Sequence, residues 1–95
     1  MISGFRCRDT ERLWMQGHSR RWANIARVAL KKLALLDAAD RLDDLRAPPG
    51  NRLEQLKGER TGQHSIRIND QWRLCFRWQT GNAHDVEIVD YHYRL

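Results

Sequence analysis

The chain has little that could crosslink it or carry it into a membrane. Its 95 residues include only two cysteines, Cys7 and Cys75, too few for a disulfide framework. A reducing cytosol is therefore the expected compartment, and Cys75, inside an apolar run, is expected to be a small buried residue. Apolar stretches last only a few residues, so none is long enough to span a bilayer. The opening MISGFRCRDTER lacks the apolar core of a secretory signal. No CxxC, HExxH or carboxylate cluster is present, so neither a metal site nor a cofactor is expected. A GxSxG elbow is missing, and GERTG lacks the lysine placement of a phosphate-binding loop. Lysine is scarce as well: 3 of the 17 basic residues are lysine and 14 are arginine.

What remains is positive charge of one chemical kind. The formal net charge is +5 and the sequence pI about 9.9. Planar, forked guanidinium groups suit phosphate better than a general need for solubility would require. An acidic partner follows, either nucleic acid or an acidic protein.

The length fits one domain, residues 1–95, with a modest core. Met1 to Phe5 is a short apolar opening, read as a strand. Asp9 or Thr10 can cap a first helix that buries Leu13 and Trp14 and ends at Gly17. Ser19 can cap a second, in which Trp22, Ile25, Ala26, Ala29, Leu30, Leu33 and Leu36 recur at helical spacing as far as about Ala39. Leu42 and Leu45 read as a short extra turn. The two prolines, Pro48 and Pro49, are adjacent and followed by Gly50-Asn51, which stops any helix. Beyond this joint the apolar period changes to two, giving strands at Arg52–Leu56, His64–Ile68, Trp72–Trp78 and Ala83–Tyr91. Helices followed by hairpin-linked strands make an α+β fold, with two N-terminal helices on one face of a small, mainly antiparallel sheet.

The hairpin register can be worked out. Trp72, Leu74, Phe76 and Trp78 alternate with Arg73, Cys75 and Arg77, and the apolar set must share one face. A three-residue loop, Asn69 to Gln71, pairs Ile66 with Leu74, whereas a two-residue loop would pair Ile66 with Arg73. The first register sets Arg67 directly opposite Arg73, a like-charge pair that costs roughly 0.2–1 kcal/mol. Such a pair invites an anion. Alternatively, each arginine extends into solvent or finds an acid such as Glu87 or Asp90. The tryptophans, Trp14, Trp22, Trp72 and Trp78, fall on apolar faces and read as core. His18, His64 and His84 read as structural or exposed.

The polar face gathers Arg52, Glu54, Lys57, Arg60, Arg67, Arg73, Arg77, Asp90, Tyr91 and His92. Such a set could cleave RNA without a metal, because the ribose 2′-OH can attack the neighbouring phosphate. Guanidinium and ammonium groups would stabilise the extra negative charge. His92, with a pKa near neutrality, or Glu54 would move protons. Tyr91 would stack on a base, or orient or activate the nucleophile by transferring a proton, for which its ordinary pKa of about 10 would need basic neighbours. The plainer alternative is a solvated basic turn, with Glu54 as an ion-pair partner for Arg52 or Lys57.

These residues also carry a resemblance. PPGNRLEQLKGERTGQHSIRINDQWRLCFRW followed by VEIVDYH resembles the HigB-like, plasmid-maintenance killer branch of the RelE/ParE toxin superfamily, over nearly the whole chain. The resemblance implies a toxin of a type II toxin–antitoxin system that cuts mRNA on the ribosome and stops translation. It implies a cognate helix-turn-helix, HigA-like antitoxin, with operator DNA bound only through the complex, and no membrane partner. The family's basic and aromatic positions map onto Lys57, Arg73 and Tyr91, with Asp90 and His92 beside them. Some members carry histidine where this chain has Glu54, which leaves proton transfer to Glu54, to His92 or to neither. ParE-type toxins share the fold and poison DNA gyrase, which is the alternative activity.

Overall fold

The structure is a computed structural model and describes residues 1–91. Two helices, α1 (Arg8–Gln16) and α2 (Ala26–Ala38), precede four strands, β1 (Glu54–Gln55), β2 (His64–Arg67), β3 (Trp72–Gln79) and β4 (Asn82–Asp90). The strands form one antiparallel sheet in chain order. Among the described residues no helix is long and apolar enough to cross a membrane.

The register is the one that the apolar alternation requires, with Ile66 opposite Leu74 and Arg67 opposite Arg73. Asn69 closes the turn by accepting the N–H groups of Gln71 and Trp72 through its side-chain oxygen, both at 2.8 Å. One sheet face carries Ile66, Ile68, Leu74, Phe76, Ala83, Val86 and Ile88, which bury against Leu13, Ala29, Leu33 and Leu36 of the helices. Trp22 is inside this core, and Trp14, Trp72 and Trp78 pack against it. The opening segment runs parallel to β4 through bridges from Ile2 to Ala83 and from Phe5 to Val86. It therefore covers only the first half of that edge.

Several helix boundaries differ from the expectation. Neither Asp9 nor Thr10 caps α1; Cys7 stands at that position and offers no side-chain bond. Thr10 is fully buried one turn further on. Its hydroxyl accepts the N–H of Ile88 at 3.2 Å, so docking of α1 on β4 claims it. Asp9 pairs instead with Arg12 and Arg21. Gly17 does end α1, at φ +78, in the left-handed region that glycine enters without strain. Ser19 is buried ahead of α2 and does not cap it. Trp22 and Ile25 lie in the turn before the helix, where Trp22 meets Trp72 edge to face with ring centroids 4.9 Å apart.

The short turn at Leu42–Arg46 is a 3-10 helix. Its Asp44 carboxylate accepts the N–H groups of Asp40 and Arg41, which hold that carboxyl below the ordinary range. The proline joint is tied down from inside. Asn51 is fully buried, donates to the Leu45 and Ala47 carbonyls at 3.2 Å each, and accepts from Lys32 Nζ at 2.6 Å. Burial lowers the Lys32 pKa, helped by Lys31 and Arg67. Strand β1 is only two residues long, because Arg52 turns into the left-handed region at φ +47.

Candidate active site

The sheet face turned away from the helices carries the candidate residues. Ser65, Cys75 and Glu87 lie side by side across β2, β3 and β4, as do Arg67, Arg73 and Val89. Leu56, Cys75 and Val89 form a small separate apolar cluster beneath them. Burial pushes the Cys75 thiol up to about 12, so this cysteine is a packing residue.

Arg73 is the centre of the arrangement. It is only 5% exposed. Its Nε donates to Ser65 Oγ at 2.9 Å, and its Nη2 donates to the Arg52 carbonyl at 2.7 Å and the Ser65 carbonyl at 3.3 Å. The same Nη2 lies 3.6 Å from the Glu54 carboxylate. The guanidinium carbon sits 5.4 Å from the centroid of the Tyr91 ring. Burial pulls the Arg73 pKa down, while Glu54 and Tyr91 pull it back up. An arginine so placed keeps its charge.

The like-charge pair is resolved by divergence. Arg73 folds over Ser65 toward β1, whereas Arg67 turns to the Asp70 carboxylate in the hairpin loop. Each arginine finds an acid, but the acids are Glu54 and Asp70, not Glu87 or Asp90. Glu87 is taken by Arg60 at 2.9 Å, and Arg60 also donates to Gln63. Asp90 lies opposite Trp72 in the register and accepts from Gln71 at 3.1 Å. Strand alternation thus turns Asp90 to the other face from Val89 and away from Arg73, a correction to the expected grouping.

The remaining candidates separate further. Arg77 pairs with Asp85 at 3.5 Å, and its guanidinium lies across Gly62 at φ +93, where a Cβ would stand 2.7 Å from it. Lys57 is exposed and makes no ion pair among the described residues. Arg52 is exposed too, and it reaches Arg73 through its carbonyl rather than its side chain. His92 lies outside the described residues. His64 stacks on Phe76 with centroids 6.3 Å apart, and burial lowers its pKa, which fits a structural histidine. Among the described residues no three His, Cys, Asp or Glu side chains gather to hold a metal ion.

The structure therefore brings together Arg73, Glu54, Tyr91 and the Arg52 carbonyl. Ser65 was missing from the candidates. Its signal was a small hydroxyl at a polar-face position, two residues along β2 from Arg67, the residue opposite Arg73. The group offers a fixed cation for an anion, with a carboxylate and a phenol ring each beside that cation.

Comparison with known proteins adds independent findings. A family model described as the RelE-like toxin of the type II toxin-antitoxin system HigB matches residues 4–92. Toxin HigB-1 of Vibrio cholerae is 44% identical over 71 residues, covering 75% of each chain. Endoribonuclease HigB of Proteus vulgaris is 33% identical over 61 residues, covering 64% of this chain and 65% of its own. Among solved structures, a mutant of E. coli YafQ superposes over 97% of this chain and 96% of its own, with a TM-score of 0.56 at 15% identity. YoeB in the Staphylococcus aureus YoeB-YefM complex does so over 98% and 99%, with a TM-score of 0.52 at 18% identity. The likeness to these two structures is one of fold.

Proposed function

The chain belongs to the HigB-like, RelE-like toxins of type II toxin–antitoxin systems, and from that premise we propose that it is an endoribonuclease that cuts mRNA on the ribosome without a metal. A relative of this family is named an endoribonuclease. The observation that carries the reading is the buried Arg73, locked by Ser65 and the Arg52 carbonyl, with Glu54 at 3.6 Å and the Tyr91 ring at 5.4 Å.

In this mechanism the 2′-OH attacks the adjacent phosphorus and the 5′-oxygen leaves. Arg73 stabilises the added negative charge, and its fixed geometry requires no reorganisation as that charge develops. Glu54 or His92 accepts the 2′-OH proton, and the acid so formed, or water, returns one to the leaving 5′-oxygen, which leaves a 2′,3′-cyclic phosphate on the other fragment. Tyr91 orients the nucleotide against the guanidinium. Lys57 and the Arg52 side chain, both exposed, hold the RNA backbone. Arg60, Arg67 and Arg77 contribute only by exchanging their present carboxylates for phosphate. A membership in type II systems supplies an antitoxin partner; a HigA-like, helix-turn-helix antitoxin that carries the pair to operator DNA is the finer proposal.

The test is expression in cells with mapping of message ends. Wild type should arrest growth and leave new 5′ ends in messages. Arg73→Ala and Tyr91→Ala, folded by circular dichroism, should lose at least about 10²-fold in cleavage, the scale for removing a group that stabilises transition-state charge. Growth arrest with intact messages and broken DNA would replace this reading by gyrase poisoning, which draws no support from a match to HigB-like toxins.

A further inference from the structure

Beyond Val86 the opening segment leaves the edge of β4, and the uncovered stretch Glu87 to Asp90 floors a cleft of about 610 Å³. Its other walls come from separate elements: Arg6 from the opening segment, Arg21 from the turn before α2, Trp72 from β3, and Arg60. The two exposed arginines are anchored. The Arg6 backbone N–H donates to the Val86 carbonyl at 3.0 Å. Arg21 donates to Asp9 at 3.2 Å and lies 4.5 Å over the Trp22 ring, which in turn packs on Trp72. The Ile88 N–H is already satisfied by Thr10, so this edge is poorly suited to pairing with another strand.

We propose that this cleft is a second RNA subsite, holding one nucleotide of the substrate strand beside the scissile phosphodiester. It rests on the nuclease reading above. The cleft adjoins the candidate site, because its wall residue Val89 lies opposite Arg73 and Asp90 precedes Tyr91. Its volume lies in the ordinary range for small-molecule sites, roughly 300–1,000 Å³. Arg6 and Arg21 meet a phosphate. The half-buried Trp72 indole offers a face or edge to a base. Asp90, on the Trp72 side of the strand, can accept an N–H group of a base edge, while Glu87 on the other side stays paired with Arg60. The same two carboxylates, with no ring from the ligand to cover Trp72, disfavour an acidic peptide. The sequence pattern puts the RNA track on Arg52, Arg60, Arg67 and Arg77, yet Arg60, Arg67 and Arg77 are all paired with carboxylates. The cleft adds Arg6 and Arg21 from the N-terminal elements, and Arg21 reaches a phosphate by exchanging Asp9 for it.

The test is titration of ¹⁵N-labelled full-length protein with adenosine 5′-monophosphate. The Trp72 indole N–H resonance should shift saturably, and Arg6→Gln/Arg21→Gln should weaken that response about tenfold, as expected for losing phosphate contacts. Inorganic phosphate alone, or a glutamate-rich peptide, should not reproduce the shift; if either does, the nucleotide assignment is overturned. A response confined to Tyr91 and Arg73, or one unchanged in the double variant, also overturns it. In message cleavage the double variant should raise KM more than it lowers kcat; the reverse pattern would exclude the substrate strand as occupant. Wild type that binds the nucleotide but never cuts RNA would sink the nuclease reading and leave the cleft standing.

Discussion

At the scale of single residues, the guanidinium of Arg73 depends on a hydroxyl more than on a charge. Ser65 Oγ and the Arg52 carbonyl fix two of its edges, and a lysine could not satisfy both. Arg73→Lys should therefore stay as inactive as Arg73→Ala in message cleavage, although it keeps the charge. Ser65→Ala should lower kcat by about tenfold, since a misplaced group loses catalysis out of proportion to its displacement. Ser65→Thr, which restores the hydroxyl, should recover most of the rate. His64 makes a pH prediction. Burial holds it below its ordinary value of 6.5, so the unfolded chain binds that proton more readily than the folded one. Its contribution to stability is full above about pH 6.5 and is lost as the pH falls below that value. His64→Phe, stacked on Phe76, should flatten the fall of Tm on the acid side, measured by thermal melts across that window.

At the scale of elements, the proline joint is secured by a buried amide rather than by its prolines alone. Asn51 satisfies two carbonyls of the preceding turn and the ammonium of Lys32 on α2, which couples the helical half to the sheet. Asn51→Ala leaves these groups buried without partners. It should cost about 2–3 kcal/mol in chemical denaturation, at the upper end for unsatisfied buried polar groups. The hairpin shows how far pattern reading reaches. Alternation alone fixed which residues oppose each other, including Arg67 and Arg73, because a one-residue slip would have exposed the apolar set. The helix starts were less legible. Thr10 and Ser19 are good caps by type, but α1 docking on β4 took the first and burial ahead of α2 took the second.

At the scale of the whole molecule, a net charge of +5 has to be read with its pairing. Arginines on the polar face are mostly matched by Asp70, Asp85 and Glu87, so total charge overstates the free basic surface. Binding to RNA should still weaken steeply with salt, because each phosphate neutralised releases counterions. The antitoxin gives a cleaner global test. A partner that binds only the folded toxin, present at about 100 times its Kd, should stabilise it by about 2.7 kcal/mol. Thermal melts of the toxin with and without the co-expressed antitoxin should show this gain, and an unchanged Tm would exclude that antitoxin as the partner.

The sequence by itself determined the α+β layering, the hairpin register and the family, because periodicity and a long composite motif are local properties of the chain. It also placed Arg73 and Tyr91 on one surface. Only the tertiary structure decided which charges are free, that Asp90 faces away from Arg73, and that Ser65 and a backbone carbonyl hold the central guanidinium. Those outcomes depend on side chains from distant segments competing for the same partners, and no spacing along the chain records who wins.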